Sequence, residues 1–118
     1  MSYVDGFVVP VPRDKVEAYR QLATTAGQVW REHGALEYRE CIADDVQVGE
    51  LTSFPRSVLL KDDEVVVFAW ITYESRQHRD VVNAKVMADP RIAGMDSAGM
   101  PFDSKRMIWG GFETLVQA

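Results

Sequence analysis

Glu64–Tyr73, Glu-Val-Val-Val-Phe-Ala-Trp-Ile-Thr-Tyr, is the stretch that dictates how the rest of the chain must be arranged. It is rich in β-branched and aromatic residues and holds no Gly or Pro, so it reads as a strand. Successive side chains on a strand point to opposite faces. One face carries Val65, Val67, Ala69, Ile71 and Tyr73; the other carries Val66, Phe68, Trp70 and Thr72. Both are apolar, whereas a strand with one wet face would alternate with charge. Both sides of the sheet built around it therefore need cover.

Upstream, Tyr3–Pro10 reads as a first strand, apolar on both parities and ended by Pro10 and Pro12, which cannot donate to a ladder. Asp14 is the expected helix cap, with Glu17 completing a capping box. Val16, Tyr19, Leu22, Ala23, Ala26, Val29 and Trp30 then recur on one helical stripe up to Gly34, a good C-terminal stop. Ala35–Ile42 follows as a half-polar edge strand, with Leu36, Tyr38, Glu40 and Ile42 on one face and Glu37, Arg39 and Cys41 on the other. Ala43–Glu50 is acidic and turn-rich. Lys61–Glu64 resembles a hairpin turn, so Ser57–Leu60 is a candidate strand that pairs with Val65–Ile71; the pattern alone leaves that open.

Downstream, Ser75 caps a second helix, Arg76–Ala88. Its thin stripe of Val82, Val86 and Met87 is interrupted by Arg79 and Asn83. Asp89-Pro90 opens a short new helix. Ile92–Gly99 breaks up around two glycines and reads as mobile. Met100–Asp103 is an ordered loop before the last strand, Arg106–Val116.

The 118 residues suffice for one domain, spanning 1–118, with a single core. A net charge of −5, with no basic run carrying interleaved aromatics, argues against a nucleic-acid surface. The single cysteine, Cys41, fits a reducing compartment. No secretion signal opens the sequence and no apolar run is long enough for a membrane span, so a soluble cytoplasmic protein is expected.

The order β-α-β-β-α-β predicts an α+β, ferredoxin-like fold, a four-stranded antiparallel sheet with both helices on one face. The uncovered face would expose more apolar surface than a monomer usually shows. A second copy packed sheet to sheet solves this. Burying about 500 Å² of apolar surface per chain is worth on the order of 12 kcal/mol before association costs. A homodimer is the expected working unit.

Three segments carry a family likeness. Tyr3-Val4-Asp5-Gly6-Phe7-Val8-Val9-Pro10-Val11-Pro12, Asn83-Ala84-Lys85-Val86-Met87-Ala88-Asp89-Pro90-Arg91, and Met100-Pro101-Phe102-Asp103 running on to Phe112 resemble the bacterial YbaA-like family of small proteins. The resemblance covers nearly the whole chain. It implies a ferredoxin-like domain whose two copies form a dimeric α/β barrel, and it implies no particular activity. That architecture is shared by cofactor-free monooxygenases, muconolactone-isomerase-like enzymes, haem-degrading enzymes and stress-response proteins, an analogy of fold only.

Few residues suggest chemistry. Asp5, set among apolar neighbours, is either a general base with a raised pKa or a structural partner of Arg106 or Lys105. Gly110-Gly111 marks a bulge or a close approach to the sheet. Trp30, Trp70 and Trp109 either line a pocket for a flat molecule or serve as core and dimer contacts. Arg79, Asn83, Asp103 and Arg106 are the polar residues least explained by packing. They form either a network pinning the loop at 100–103 to the second helix or the polar end of a pocket. His33, His78 and Cys41 stand at no metal-ligand spacing, and no phosphate loop or nucleophile elbow occurs, so no cofactor is expected. The functional expectation is a small apolar or aromatic ligand bound between helices and sheet, with cofactor-independent oxidation or isomerisation as the associated chemistry. The alternative is a non-catalytic dimer that serves as an interaction or structural protein.

Overall fold

The computed structural model describes residues 2–95 and 99–118. Strands β1 (Tyr3–Pro12), β2 (Glu37–Ile42), β3 (Glu64–Tyr73) and β4 (Ile108–Glu113) form one antiparallel sheet in the order β2-β3-β1-β4. Helix α1 (Val16–Glu32) links β1 to β2. A single helical turn, α2 (Phe54–Ser57), precedes β3, and α3 (Arg76–Ala88) and the short α4 (Pro90–Ala93) lie between β3 and β4. This is the ferredoxin-like α+β arrangement. Of the segment Ile92–Gly99, read from the sequence as mobile, residues 96–98 lie outside the described residues; Ile92 and Ala93 close α4.

The organising strand runs over the span read from the sequence, Glu64–Tyr73, and sits at the centre of the sheet. Its odd-numbered face joins Tyr3, Phe7, Val9 and Val11 of β1 beneath α1 and α3. Two core clusters form there, one around Val29, Ile71, Tyr73, Val82 and Val86, the other around Val9, Val11, Tyr19, Val65 and Val67.

β1 does not stop at Pro10. It continues through Pro12, which pairs with Glu64. Main-chain groups on the odd side of this strand bond toward β3, as the Arg13 N–H does to Asp63 O at 2.8 Å. The even side faces β4, whose pairing ends at Val8 opposite Ile108. Pro10 and Pro12 are both even, so their missing donors point where no strand remains to receive them.

Other expectations shift locally. Asp14 caps nothing: a 3₁₀ turn over Arg13–Lys15 intervenes, and α1 starts at Val16 without a side-chain cap. Ser75, by contrast, accepts the His78 N–H at 3.0 Å, and Asp89 the Arg91 N–H at 2.9 Å, as their sequence positions predict. Gly34 takes φ +117°, the left-handed stop after α1. On α3, Met87 faces solvent and only Val82 and Val86 are buried.

Ser57–Leu60 is not a strand. Ser53 accepts the Arg56 N–H at 3.1 Å and starts the α2 turn. The turn lies on the sheet face opposite α1, where Val58 packs with Val8 and Val66. It covers one end of that face. Arg106 holds it down. Its guanidinium donates to the carbonyls of Val58 at 3.2 Å and Leu59 at 3.1 Å, to Asp103 at 2.9 Å, and to both oxygens of Glu64 at 2.7 and 2.5 Å. Glu64 and Arg106 are largely removed from water, and the guanidinium keeps the Glu64 carboxyl below its usual pKa. Breaking a buried pair strands the surviving charge. Arg106→Met is therefore expected to cost about 3–5 kcal/mol in a denaturant melt, and a loss no larger than that of an exposed ion pair, under about 1 kcal/mol, would contradict this role.

Candidate functional site

The two core clusters on the helix side do not fuse completely. Between them Ala23 and Ala26 of α1 face the sheet near Ala69 of β3, while Tyr19 and Trp30 bracket that stretch of the helix. Short side chains where the layers meet leave a cavity of about 220 Å³. Phe7, Leu22, Ile71, Ile92, Phe102 and Met107 complete most of its apolar wall. The space is partly open to solvent, and its volume is large enough for a compact apolar molecule, since about 150 Å³ suffices for benzene.

One edge of the cavity is polar. Glu40 and Tyr38 come from the helix-facing parity of the edge strand β2, and Tyr19 from the apolar stripe of α1. The Tyr38 hydroxyl donates to Glu40 Oε2 at 2.5 Å, and the Tyr19 hydroxyl donates to Glu40 Oε1. Burial first, and then the Glu40 charge, push both phenols well above their usual pKa, so both remain proton donors. Tyr38 reaches this position because α1 offers Gly27 opposite it: a Cβ there would lie 2.9 Å from the Tyr38 ring. Sequence reasoning did not single out this group. The available signal was an acidic residue, Glu40, sharing a strand face with Leu36, Tyr38 and Ile42.

The residues that the sequence did single out fall into three places. Asp5, Arg79 and Asn83 come together under α3. Asp5 is 2% exposed, and its cation is Arg79, with Nε 3.7 Å from Oδ1, rather than Arg106 or Lys105. Arg79 also donates to the Tyr3 hydroxyl at 3.1 Å, and Asn83 Oδ1 accepts from the Trp30 indole at 3.0 Å and the Tyr73 hydroxyl at 3.2 Å. Asp103 and Arg106 belong instead to the Glu64 cluster. Ile71, the partner of Asp5, lies seven positions along β3 from Glu64, roughly 23 Å along the strand. No single network joins the four polar residues.

Gly110-Gly111 is not a bulge either, since Gly110 and Gly111 pair in register with Gly6 and Asp5. A Cβ on Gly111 would collide with the Tyr3 hydroxyl and lie 2.7 Å from Arg79 Nη2, so the glycine makes room for the Asp5 cluster.

The three tryptophans also separate. Trp30 lines the cavity. Trp70 also borders the cavity, but its ring lies on the opposite sheet face, where its N–H donates to Glu37 at 2.8 Å and the Arg39 guanidinium stands 5.7 Å from its centre. Trp109, 59% exposed, stacks on Phe7 at 6.3 Å outside the cavity.

Asp5 does not line the cavity, and its Oδ1 and Arg79 Nε are buried without hydrogen-bond partners among the described residues. Desolvation raises the Asp5 pKa above 3.8, with Arg79, Tyr73 and Asn83 opposing it. A raised folded-state pKa means that the native protein holds this proton at pH values where the unfolded chain has lost it. Stability contributed at this site is then fully present below the unfolded value and is lost as pH rises through the folded one. Asp5→Asn removes that decline. The variant is expected to gain stability relative to the natural protein as pH rises from 4 to 7, read as the difference between paired melting curves; a constant difference would show an unshifted carboxyl.

The family model "Protein of unknown function (DUF1428)" matches residues 2–104. The uncharacterized protein YbaA of Escherichia coli K12 is 50% identical over 116 residues, covering 98% of both chains. The YbaA of Shigella flexneri matches to the same extent. A solved structure of an uncharacterized NIPSNAP domain protein from Burkholderia xenovorans superposes with a TM-score of 0.62 over 98% of this chain and 97% of that one. At 14% identity that likeness concerns the fold alone. With half its residues shared along nearly the full length of YbaA, and the family model spanning β1 through the loop before β4, the chain belongs to the YbaA-like DUF1428 family.

Proposed function

We propose that this protein binds a small, largely apolar or aromatic molecule in the cavity between α1 and the sheet, and does so as a homodimer. The observation that carries the reading is the cavity itself. It is a partly open hollow lined mainly by aliphatic and aromatic side chains, with Tyr19, Tyr38 and Glu40 together at one edge. Packed cores seldom leave such space without use. Cofactor-independent oxidation or isomerisation is the chemistry that the architecture suggests by analogy, and the cavity's polar edge is where such chemistry would take place.

The dimer is supported by the sheet face turned away from α1. Beside the α2 turn, Val4, Phe68, Trp70, Ile108 and Phe112 form a continuous apolar surface. Phe68, Ile108 and Phe112 are 42%, 45% and 64% exposed. Phe54 extends the surface, packing edge-on to Phe68 at 5.6 Å. A two-fold axis would place this self-complementary patch against its own copy.

A ligand at ten times its Kd adds about 1.4 kcal/mol, or about 5 °C in melting temperature. One- and two-ring aromatic compounds are expected to produce such shifts and to alter Trp30 emission, and Ala26→Phe, which fills the cavity, is expected to abolish both. No shift from any such compound would remove the ligand reading. For the dimer, light scattering is expected to find twice the subunit mass at micromolar concentration, and Phe68→Lys to yield folded monomers. A natural protein that is monomeric and folded at that concentration would overturn the sheet-to-sheet assembly, and a heterologous partner would then be the occupant of this face.

A further inference from the structure

We propose that Glu40 is the anchor of the cavity, selecting ligands that present a hydroxyl, N–H or ammonium donor at one end of a one- or two-ring aromatic body. This inference rests on the cavity reading above and adds to it the chemical group that is recognised.

The arrangement around Glu40 has three parts. First, the carboxylate is an acceptor only, with about four lone-pair sites on its two oxygens. Tyr19 and Tyr38 occupy one site on each oxygen, fixing the group and leaving acceptor capacity unused. Second, Tyr19, Tyr38 and Glu40 line two spaces at once. They border the inner cavity, and they also border an outer groove of about 330 Å³ between α1 and β2 that includes Val16, Arg20, Thr24 and Ile42. The three side chains therefore stand where the two spaces meet. A ligand lying with its apolar body in the cavity would place its polar end beside them.

Third, the neighbouring cations, including Arg39, which also borders the cavity, pair with acids other than Glu40. Arg20 pairs with Glu17 at 3.0 Å and Arg39 with Glu37 at 3.1 Å. No ion pair of Glu40 with a basic side chain occurs among the described residues. An acceptor at the wall of an apolar cavity penalises a ligand that has no donor, and repels one that brings its own carboxylate.

The test titrates four ligands of similar size, phenol, benzylamine, toluene and benzoate, into the full-length protein, following Trp30 emission and calorimetry. Hydrogen bonds to charged groups predict that phenol and benzylamine bind at least about tenfold more tightly than toluene. Benzoate is expected to bind more weakly than toluene. Glu40→Gln, checked by its melting curve, is expected to erase the benzylamine preference while toluene affinity is kept. On the natural protein, carbon-13-labelled glutamate gives an independent reading, in which the Glu40 carboxyl resonance moves with benzylamine and not with toluene. Equal affinities for toluene and the donor ligands, or a benzylamine preference that survives Glu40→Gln, would overturn the Glu40 assignment while leaving the cavity reading intact. Failure of all four ligands to bind would overturn both.

Discussion

A central strand that is apolar on both sides sets the terms for this fold. β3 lies between β1 and β2 and can hide neither of its faces at a sheet edge. The helix layer answers one face apart from the cavity: Val67, Ile71 and Tyr73 are buried beneath α1 and α3. The other face is answered only at one end, by the turn at residues 54–60. That turn is held by Arg106, whose guanidinium ties two of its carbonyls to the first residue of β3. The remaining half of the face is where the chain's most prominent apolar surface lies. The same hydrophobic requirement thus accounts for the core, for the unusual role of a single arginine, and for the patch that a second subunit would cover.

Two buried acidic residues show how differently the protein treats charge. Glu64 meets Arg106 in a two-point contact and has its pKa lowered. Asp5 meets Arg79 at 3.7 Å without a hydrogen bond and has its pKa raised. Both sit in strands, Asp5 beneath α3 and Glu64 beside the turn at residues 54–60. The difference lies in the space around the arginine. Arg106 comes from the approach to β4 and can lie flat along the carboxylate. Arg79 rises from α3, shares its donors with Tyr3 and lies near Asp80, so it only partly compensates Asp5. Gly111 is kept without a side chain to let that crowded group exist at all.

Much of the architecture was legible because it depends on patterns with a period. The alternation in Glu64–Tyr73, the helical stripe through Val29 and Trp30, and the Ser75 and Asp89 caps all act locally, and each lies where the sequence puts it. The failures involve information from elsewhere in the chain. Pro10 and Pro12 looked like strand ends, because only the shortness of β4 makes their missing donors harmless. Ser57–Leu60 looked like a strand, because its apolar Val58 serves a sheet face it reaches from outside. Arg79, Asn83, Asp103 and Arg106 stand out in the sequence as polar residues least explained by packing, and the structure divides them between two acids. Which acid each would meet depends on strand register, and no spacing in the sequence encodes that.

The cavity follows from the same reasoning about layers. A helix and a sheet held apart by Tyr19 and Trp30 cannot close over Ala23, Ala26 and Ala69, and larger residues at those three positions would have completed an ordinary core. The gap therefore comes from side-chain size, not from a bend or a break in the backbone. Placing Glu40 beside it adds a cost that a purely structural core would avoid, since a carboxylate on an apolar wall must be satisfied. Two tyrosines are devoted to satisfying it, and one of them requires Gly27 in the middle of α1, where a glycine weakens the helix. Small residues, a helix glycine and two phenols all converge on a single acid. Under the binding proposed above, that acid and its two phenols would receive a ligand's polar end.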